Sequence, residues 1–337
     1  MKLSTLRERT LPYEASGASD LSYHSGEQAM RSSLAGCAVV MAHPDDEVLW
    51  ASSVLARSSK IILCFGDLLT TRRGEARRGA LNEYPIRNLE FLDLPEAGVF
   101  DLGGWPNPRR ATFGVEIDEM HGRHALPAAR YQQNYGELCN ILMKRLRGIK
   151  DVVTHNPWGE YGHEDHVQVF SAVLSCWARL GFRMWVSNYV SYKSLEYMLS
   201  QKAILGRPMA PLRTDSQLAR ELQKLYSKHG AWTWPEDYIW PDFETYFPIL
   251  VAGDKTSQGA VAYPLNFFGG FWSRPSKTAR ILSAIGRISK LKEKLREGLP
   301  HGRMSDSGTY TAECLLPGVK RTHLIHAMLD ASGPEAR

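Results

Sequence analysis

Between residues 35 and 190, short β-prone runs alternate with helical stretches, and this alternation restricts the chain more than any other feature. Cys37–Ala42, Lys60–Phe65, Leu89–Leu94, Asp151–Thr154 and Met184–Val190 read as strands, several of them continuous apolar runs of the kind found where both faces of a sheet are covered. Glu47–Arg57, residues 72–83, residues 133–147 and His163–Leu180 read as the intervening helices. Strand–helix alternation on this scale predicts a Rossmann-like α/β fold, a mostly parallel sheet with helices on both faces. Such folds open their binding crevice where the carboxyl ends of the strands run into loops. Two polar clusters lie at such ends.

The first cluster is Ala42-His43-Pro44-Asp45-Asp46-Glu47, directly after the strand at 37–42. His43 and Asp46 stand three apart on a turn and can face one point, and imidazole nitrogen and carboxylate oxygen are both zinc donors. Asp45 between them is free to act as a base. The spacing fits equally a strand-to-helix turn in which Pro44 and Asp45 or Asp46 start the helix. The second cluster, His163-Glu164-Asp165-His166, follows the strand at 151–154 and the loop Pro157–Gly162. Its histidines share a face on the first helical turn. One of them completes a His-Asp-His set with the first cluster, three protein ligands and an open position being the catalytic zinc pattern. The other, paired with Asp165 or a nearby carboxylate, is expected as a charged hydrogen-bond donor to a developing oxyanion. The competing explanation is a helix-capping histidine.

The pair of motifs, AHPDDE and GHEDH, resembles the PIG-L (LmbE-like) deacetylase family, and the resemblance covers residues 35–190. It implies zinc held by His43, Asp46 and His166, with Asp45 as general base. It further implies His163, oriented by Asp165, as the group that stabilises the tetrahedral intermediate, assisted by Tyr161. The activity implied is removal of the acetyl group from an N-acetylglucosamine-type sugar or glycoconjugate. Glu164 stands where this family commonly has Pro. Two other functions are weighed beside this one: a zinc amidase acting on a larger acyl-sugar or thiol-sugar conjugate, and a sugar-binding protein that kept the fold and lost catalysis. Retention of Asp45 disfavours the last, because a structural metal needs ligands alone.

Composition narrows the partners. Forty-one basic residues against 36 acidic ones leave a net charge of +5, too slight and too dispersed for a nucleic-acid surface. The five cysteines are odd in number and widely spaced, which predicts free thiols and a reducing, cytoplasmic setting. The first twenty residues lack an apolar run of signal-peptide length. Residues 1–33 read as a polar lead-in, 34–190 as the α/β core and 191–337 as an extension that completes the substrate cleft. Within the extension, Trp232, Trp234, Tyr238 and Trp240 read first as core and second as a sugar-stacking surface. The basic amphipathic helix expected at 275–297 reads first as a packed helix and second as a membrane-surface contact. Arg72 and Glu75 read as a solvated helix start, and His155 as a strand-end histidine or as support for a metal ligand. Oligomeric state leaves no trace in the sequence.

Overall fold

A computed structural model of the chain describes residues 34–67, 71–118, 124–250, 261–268 and 325–329. The lead-in at 1–33 and the helix expected at 275–297 lie outside the described residues. Six strands form the central sheet: β1 (Ala38–Met41), β2 (Lys60–Phe65), β3 (Leu89–Leu94), β4 (Asp151–Thr154), β5 (Arg183–Ser187) and β6 (Tyr246–Pro248). Their spatial order is β6-β5-β4-β1-β2-β3. All neighbours run parallel except β6, which adds antiparallel to β5 with Tyr246 opposite Ser187. The chain winds outward from β1 through β2 to β3, then returns to lay β4 on the other flank of β1. Strand order therefore reverses between β1 and β4, and the loops after these two strands border the crevice where α/β folds bind ligands.

The central strand is buried on both faces, as its unbroken apolar sequence requires. Ala38, Val40 and Ala42 face one core, formed with Leu138 and Leu142 of α3 (Ala125–Arg145) and Val169 and Val173 of α4 (Glu164–Leu180). Val39 and Met41 face a second core, which contains Ala80 of α2 (Arg72–Asn82) and Ala219, Leu222 and Tyr226 of α5 (Ser216–His229). Burying one such aliphatic side chain is worth roughly 1.5–3 kcal/mol. A one-residue slip would exchange the two faces, so register is firmly specified.

Local sequence explains most boundaries. Thr71 caps α2 by accepting the Gly74 N–H at 3.0 Å. Gly181 and Gly230, with φ of 69° and 72°, stop α4 and α5 in the left-handed conformation that glycine adopts without a Cβ penalty. Three expected elements differ. Helix α3 starts at Ala125 rather than 133, with Pro127 tolerated in the first turn, where its missing N–H has no helical partner anyway. The helix expected over 47–57 is two pieces, α1 (Asp46–Trp50) and Ser52–Leu55, because the Ser53 N–H is taken at 2.8 Å by Glu244. The last strand expected in the core is likewise two, broken at Asn188, with Tyr189–Ser191 joining a separate sheet with Val261–Phe268 and Ile325–Leu329.

The cysteines among the described residues, Cys37, Cys64, Cys139 and Cys176, are free. No helix among the described residues is long and apolar enough to cross a membrane.

Candidate metal centre

The first cluster turns at Asp45, whose backbone φ of 98° lies in the left-handed region that non-glycine residues avoid. Backbone in this region costs of order 1–3 kcal/mol and persists where its surroundings hold it. Here Glu47 accepts the Asp45 N–H at 3.1 Å, and Asp46 Oδ2 accepts the His43 N–H at 2.7 Å. The turn brings His43, Asp45 and Asp46 inward together, and all three are buried. Asp46 then meets imidazoles on three sides. Its Oδ2 lies 3.2 Å from His43 Nδ1, 3.3 Å from His166 Nε2 and 3.5 Å from His155 Nε2, while Trp50 donates to Oδ1 at 3.1 Å. Burial alone would raise the Asp46 pKa, but the surrounding histidines, His166 foremost, hold it well below the usual carboxylate range.

The second cluster is organised by Glu160, a fully buried residue with φ of 47° that the sequence reading passed over. Its Oε2 takes His166 Nδ1 at 2.7 Å and His155 Nδ1 at 2.9 Å, and its Oε1 accepts the Asn156 N–H at 3.0 Å and the Ser187 hydroxyl at 3.1 Å. Burial opposes ionisation of Glu160, yet His155 and His166 outweigh it and bring the pKa down to about 2. A carboxylate on Nδ1 fixes the tautomer of His166, so the Nε2 lone pair points at Asp46. Such a carboxylate–histidine pair is what commonly orients a metal ligand. His155 Nε2 is engaged differently, accepting the Ala42 N–H at 2.8 Å. That lone pair is spent, which makes His155 a wall of the site that stacks on His166 at 3.9 Å.

Two overlapping donor sets result, His43 with His163 and His166, and Asp46 with His155 and His166, each with its ligand atoms within 4.8 Å of one another. The expected set of His43, Asp46 and His166 draws from both. These residues fit a divalent cation on a direct observation. His166 Nε2 is completely buried and has no hydrogen-bond partner, and it faces a carboxylate oxygen. Two electron-pair donors facing each other in the interior are reconciled by a proton or by a metal cation, and the mixed imidazole–carboxylate donor set suits the latter.

The expected pairing of His163 with the Asp165 carboxylate does not form. Asp165 Oδ2 sits 3.2 Å from His43 Nε2 instead, and His163 Nδ1 accepts the backbone N–H of Asp165 at 3.2 Å as the N-cap of α4. The reason is geometric: a histidine at the cap position folds its ring back over the first turn, while the residue two further on points across to the β1 loop. Burial, together with His166 and His43 beside it, drives the His163 pKa well below the ordinary histidine value. His163 is therefore a neutral imidazole with its proton on Nε2, not the charged donor expected from the sequence. Tyr161 stands edge-on to both rings, 5.6 Å from His163 and 5.2 Å from His166.

Asp45 is capped by Thr233, whose hydroxyl and N–H donate to Oδ2 at 2.6 and 3.2 Å. Burial and the adjacent Asp46 raise the Asp45 pKa to about 7, against the opposing pull of Arg77 and Thr233. Of the aromatic segment, Trp240 donates to the Val48 carbonyl at 2.8 Å, and Trp234 packs edge-on against Trp50 and Tyr161. Arg72 and Glu75 are exposed; Arg73 and Arg77, unremarked in the sequence, pair with Glu96, which lies 3.5 Å from His43 Nε2.

Residues 38–177 match the family model described as PIG-L, GlcNAc-PI de-N-acetylase. A 1D-myo-inositol 2-acetamido-2-deoxy-alpha-D-glucopyranoside deacetylase of Segniliparus rotundus is 28% identical over 155 residues, covering 38% of this chain and 45% of that protein. The enzyme of the same name from Kineococcus radiotolerans is 29% identical over 160 residues, covering 40% of this chain and 42% of its own length. The chain thus spans less than half the length of these two relatives. A solved deacetylase–bog complex from the biosynthesis pathway of teicoplanin aligns at a TM-score of 0.40 and 14% identity, over 65% of this chain and 99% of that one. The matched stretch takes in both polar clusters and Glu160, and over residues 38–177 the chain is similar to the PIG-L family.

Proposed function

We propose that this protein hydrolyses the acetamide of an N-acetylated amino sugar, with zinc held by His43, Asp46 and His166, releasing acetate and the free amine. The observation that carries the reading is the buried, partnerless His166 Nε2 directed at Asp46, one residue from a carboxylate poised near neutrality. Zinc, when bound, supplies Lewis-acid polarisation of the amide carbonyl.

The chain's own groups do the rest. With a pKa of about 7, Asp45 can take a proton from the attacking water and return it to the leaving nitrogen at neutral pH. Thr233 holds one oxygen of that carboxylate and so fixes its orientation. His163 keeps its Nε2–H for the developing oxyanion, and as a neutral donor it needs no carboxylate partner. Tyr161 lies against the same ring and closes the site. Asp165 lies on Nε2 of His43 and Glu160 on Nδ1 of His166, so each of the two histidines that would hold zinc has a carboxylate to orient its ring.

The two named relatives act on a 2-acetamido-glucopyranoside of inositol, which supports a glucosamine-type substrate. One observation favours a larger acyl group: Trp50, Tyr161, Trp234 and Phe268 form an apolar ring cluster at the site's edge. A panel of N-acetyl and longer N-acyl amino sugars, free and conjugated, assayed for carboxylic acid release by the zinc-loaded protein separates the readings. Acetate release that stops on chelation and returns with zinc is the expected result. Silence across the panel from zinc-loaded protein rejects the proposal.

A further inference from the structure

The segment Val99–Trp105 passes beside His163 and is tied down by groups from two other elements. Glu164, fully buried at the start of α4, accepts the Asp101 N–H at 3.1 Å, the Gly103 N–H at 2.7 Å and the Trp105 indole N–H at 2.9 Å. Gly103 is required for this approach, since a Cβ there would fall 2.9 Å from Glu164 Oε1. From the other side, the Lys193 ammonium donates to the Gly162 carbonyl at 2.8 Å and pairs with Asp101 at 2.5 Å. This segment carries Phe100. Its ring centroid is 4.8 Å from that of His163 and 6.3 Å from that of Tyr161, with Lys193 Nζ 4.8 Å from the ring centre. Phe100 is nevertheless 37% exposed, one of four large hydrophobic side chains left in solvent among the described residues.

A single exposed phenyl ring is ordinary on a protein surface, but this one lies against His163 on a segment anchored from two sides. We propose that Phe100, held in place by Glu164 and Lys193, is the surface against which the carbon face of the substrate's pyranose ring packs. This rests on the amino-sugar reading above. A pyranose carries axial C–H bonds on one face, and the electron-rich face of an aromatic ring attracts polarised C–H groups while shedding water from both. Phe100 lies beside the proposed oxyanion donor, so a sugar packed on it keeps its acetamide near the reacting groups. The position of Glu164, commonly Pro in this family, is thereby assigned to positioning: it bonds the segment that carries Phe100 and touches no substrate.

The test uses the full-length zinc-loaded protein and its Phe100→Ala, Phe100→Trp and Glu164→Gln variants, with zinc content measured on each. Phe100→Ala should keep zinc, raise KM for N-acetylglucosamine conjugates roughly tenfold and change kcat by less than about threefold, the pattern of lost ground-state binding. Glucosamine binding, followed by ligand-observed NMR without turnover, should weaken by the same factor. Phe100→Trp should keep near-parental affinity. Glu164→Gln should raise KM less, and should add nothing when combined with Phe100→Ala, as expected for a residue acting through Phe100. Unchanged KM and unchanged glucosamine affinity in zinc-replete Phe100→Ala would overturn the proposal and leave the deacetylase reading standing. Glucosamine binding that depends on Phe100 without any acetate release would support this contact and reject the reaction. Absence of pyranoside binding in the parent protein overturns both.

Discussion

Two adjacent carboxylates, Asp45 and Asp46, differ in environment enough to hold different jobs. Asp46 is ringed by imidazoles and held ionised, whereas Asp45 sees its neighbour's charge and little water, which lifts it to about 7. Asp45→Asn should therefore retain zinc and lose turnover by on the order of a hundredfold or more. A base must be deprotonated to act, so parental turnover should rise as pH passes about 7 and this acidic limb should vanish from the residual activity of the variant. Loss of zinc from Asp45→Asn with retention in Asp46→Ala would reverse the two assignments. Glu160 offers a separate test, because its charge fixes His166 without touching the cation. Glu160→Gln should weaken zinc binding by about 10–100-fold, read by competition against a chromophoric chelator. Equal affinity would show that the tautomer of His166 is set by something else. The sequence pointed to His43, Asp45, Asp46 and His166, which the fold brings together, because they stand in two compact motifs at strand ends. It did not disclose Glu160, six residues ahead of His166, because a Glu between Trp158 and Tyr161 reads as an ordinary loop acid until the fold buries it. The same limit applies to Asp165: spacing put its carboxylate beside His163, and the fold directs it 122 residues away to His43.

Elements follow local pattern more closely than side-chain partners do. Strands β2, β3 and β4 occupy the residues expected from their apolar runs, and capping glycines stop α4 and α5. The breaks at Ala51 and Asn188 were illegible because each depends on groups far along the chain: Glu244 takes Ser53, and Asn188 meets Thr245 and Asn266. Glu47 of α1 shows such a junction energetically. It accepts hydroxyl hydrogen bonds from Tyr226 of α5 at 2.7 Å and from Tyr84 at 3.0 Å, beyond the end of α2. Burial is the main reason its pKa is raised from 4.5 to about 8, with Asp45 adding and the tyrosines opposing. A carboxyl that binds its proton more tightly when folded contributes stability that is fully present below pH 4.5 and is lost as pH rises through about 8. Glu47→Gln, which cannot ionise, should fall behind or match the parent near pH 4.5 and gain on it steadily toward pH 8.5. Urea midpoints of the two proteins across that range provide the check, and a constant difference between them would show that Glu47 is ionised throughout.

At the scale of the whole molecule, residues 191–250 are as much a part of the α/β unit as residues 34–190. Strand β6 hydrogen-bonds along β5, and α5 supplies Ala219, Leu222 and Tyr226 to the core behind β1. Polar closure crosses the same boundary. Glu244 accepts from Ser52 and Ser53 on one side and from the Tyr189 and Tyr246 hydroxyls on the other, all within 3.1 Å, and Thr233 closes over Asp45. A chain ending at 190 would leave β5 as an exposed edge, uncover the apolar face of β1 and strand Glu47 without Tyr226. An unsatisfied buried polar group costs about 1–3 kcal/mol and each large aliphatic left uncovered roughly 1.5–3 kcal/mol, against a typical domain stability of about 5–15 kcal/mol. The losses from this truncation exceed that margin. Residues 34–190 expressed alone should therefore show no cooperative urea transition, whereas residues 34–268 should unfold in one step and keep zinc. The two proteins are compared by circular dichroism and zinc content. A cooperative, zinc-binding 34–190 fragment would show that the extension is a separable addition and that the site is complete without Thr233.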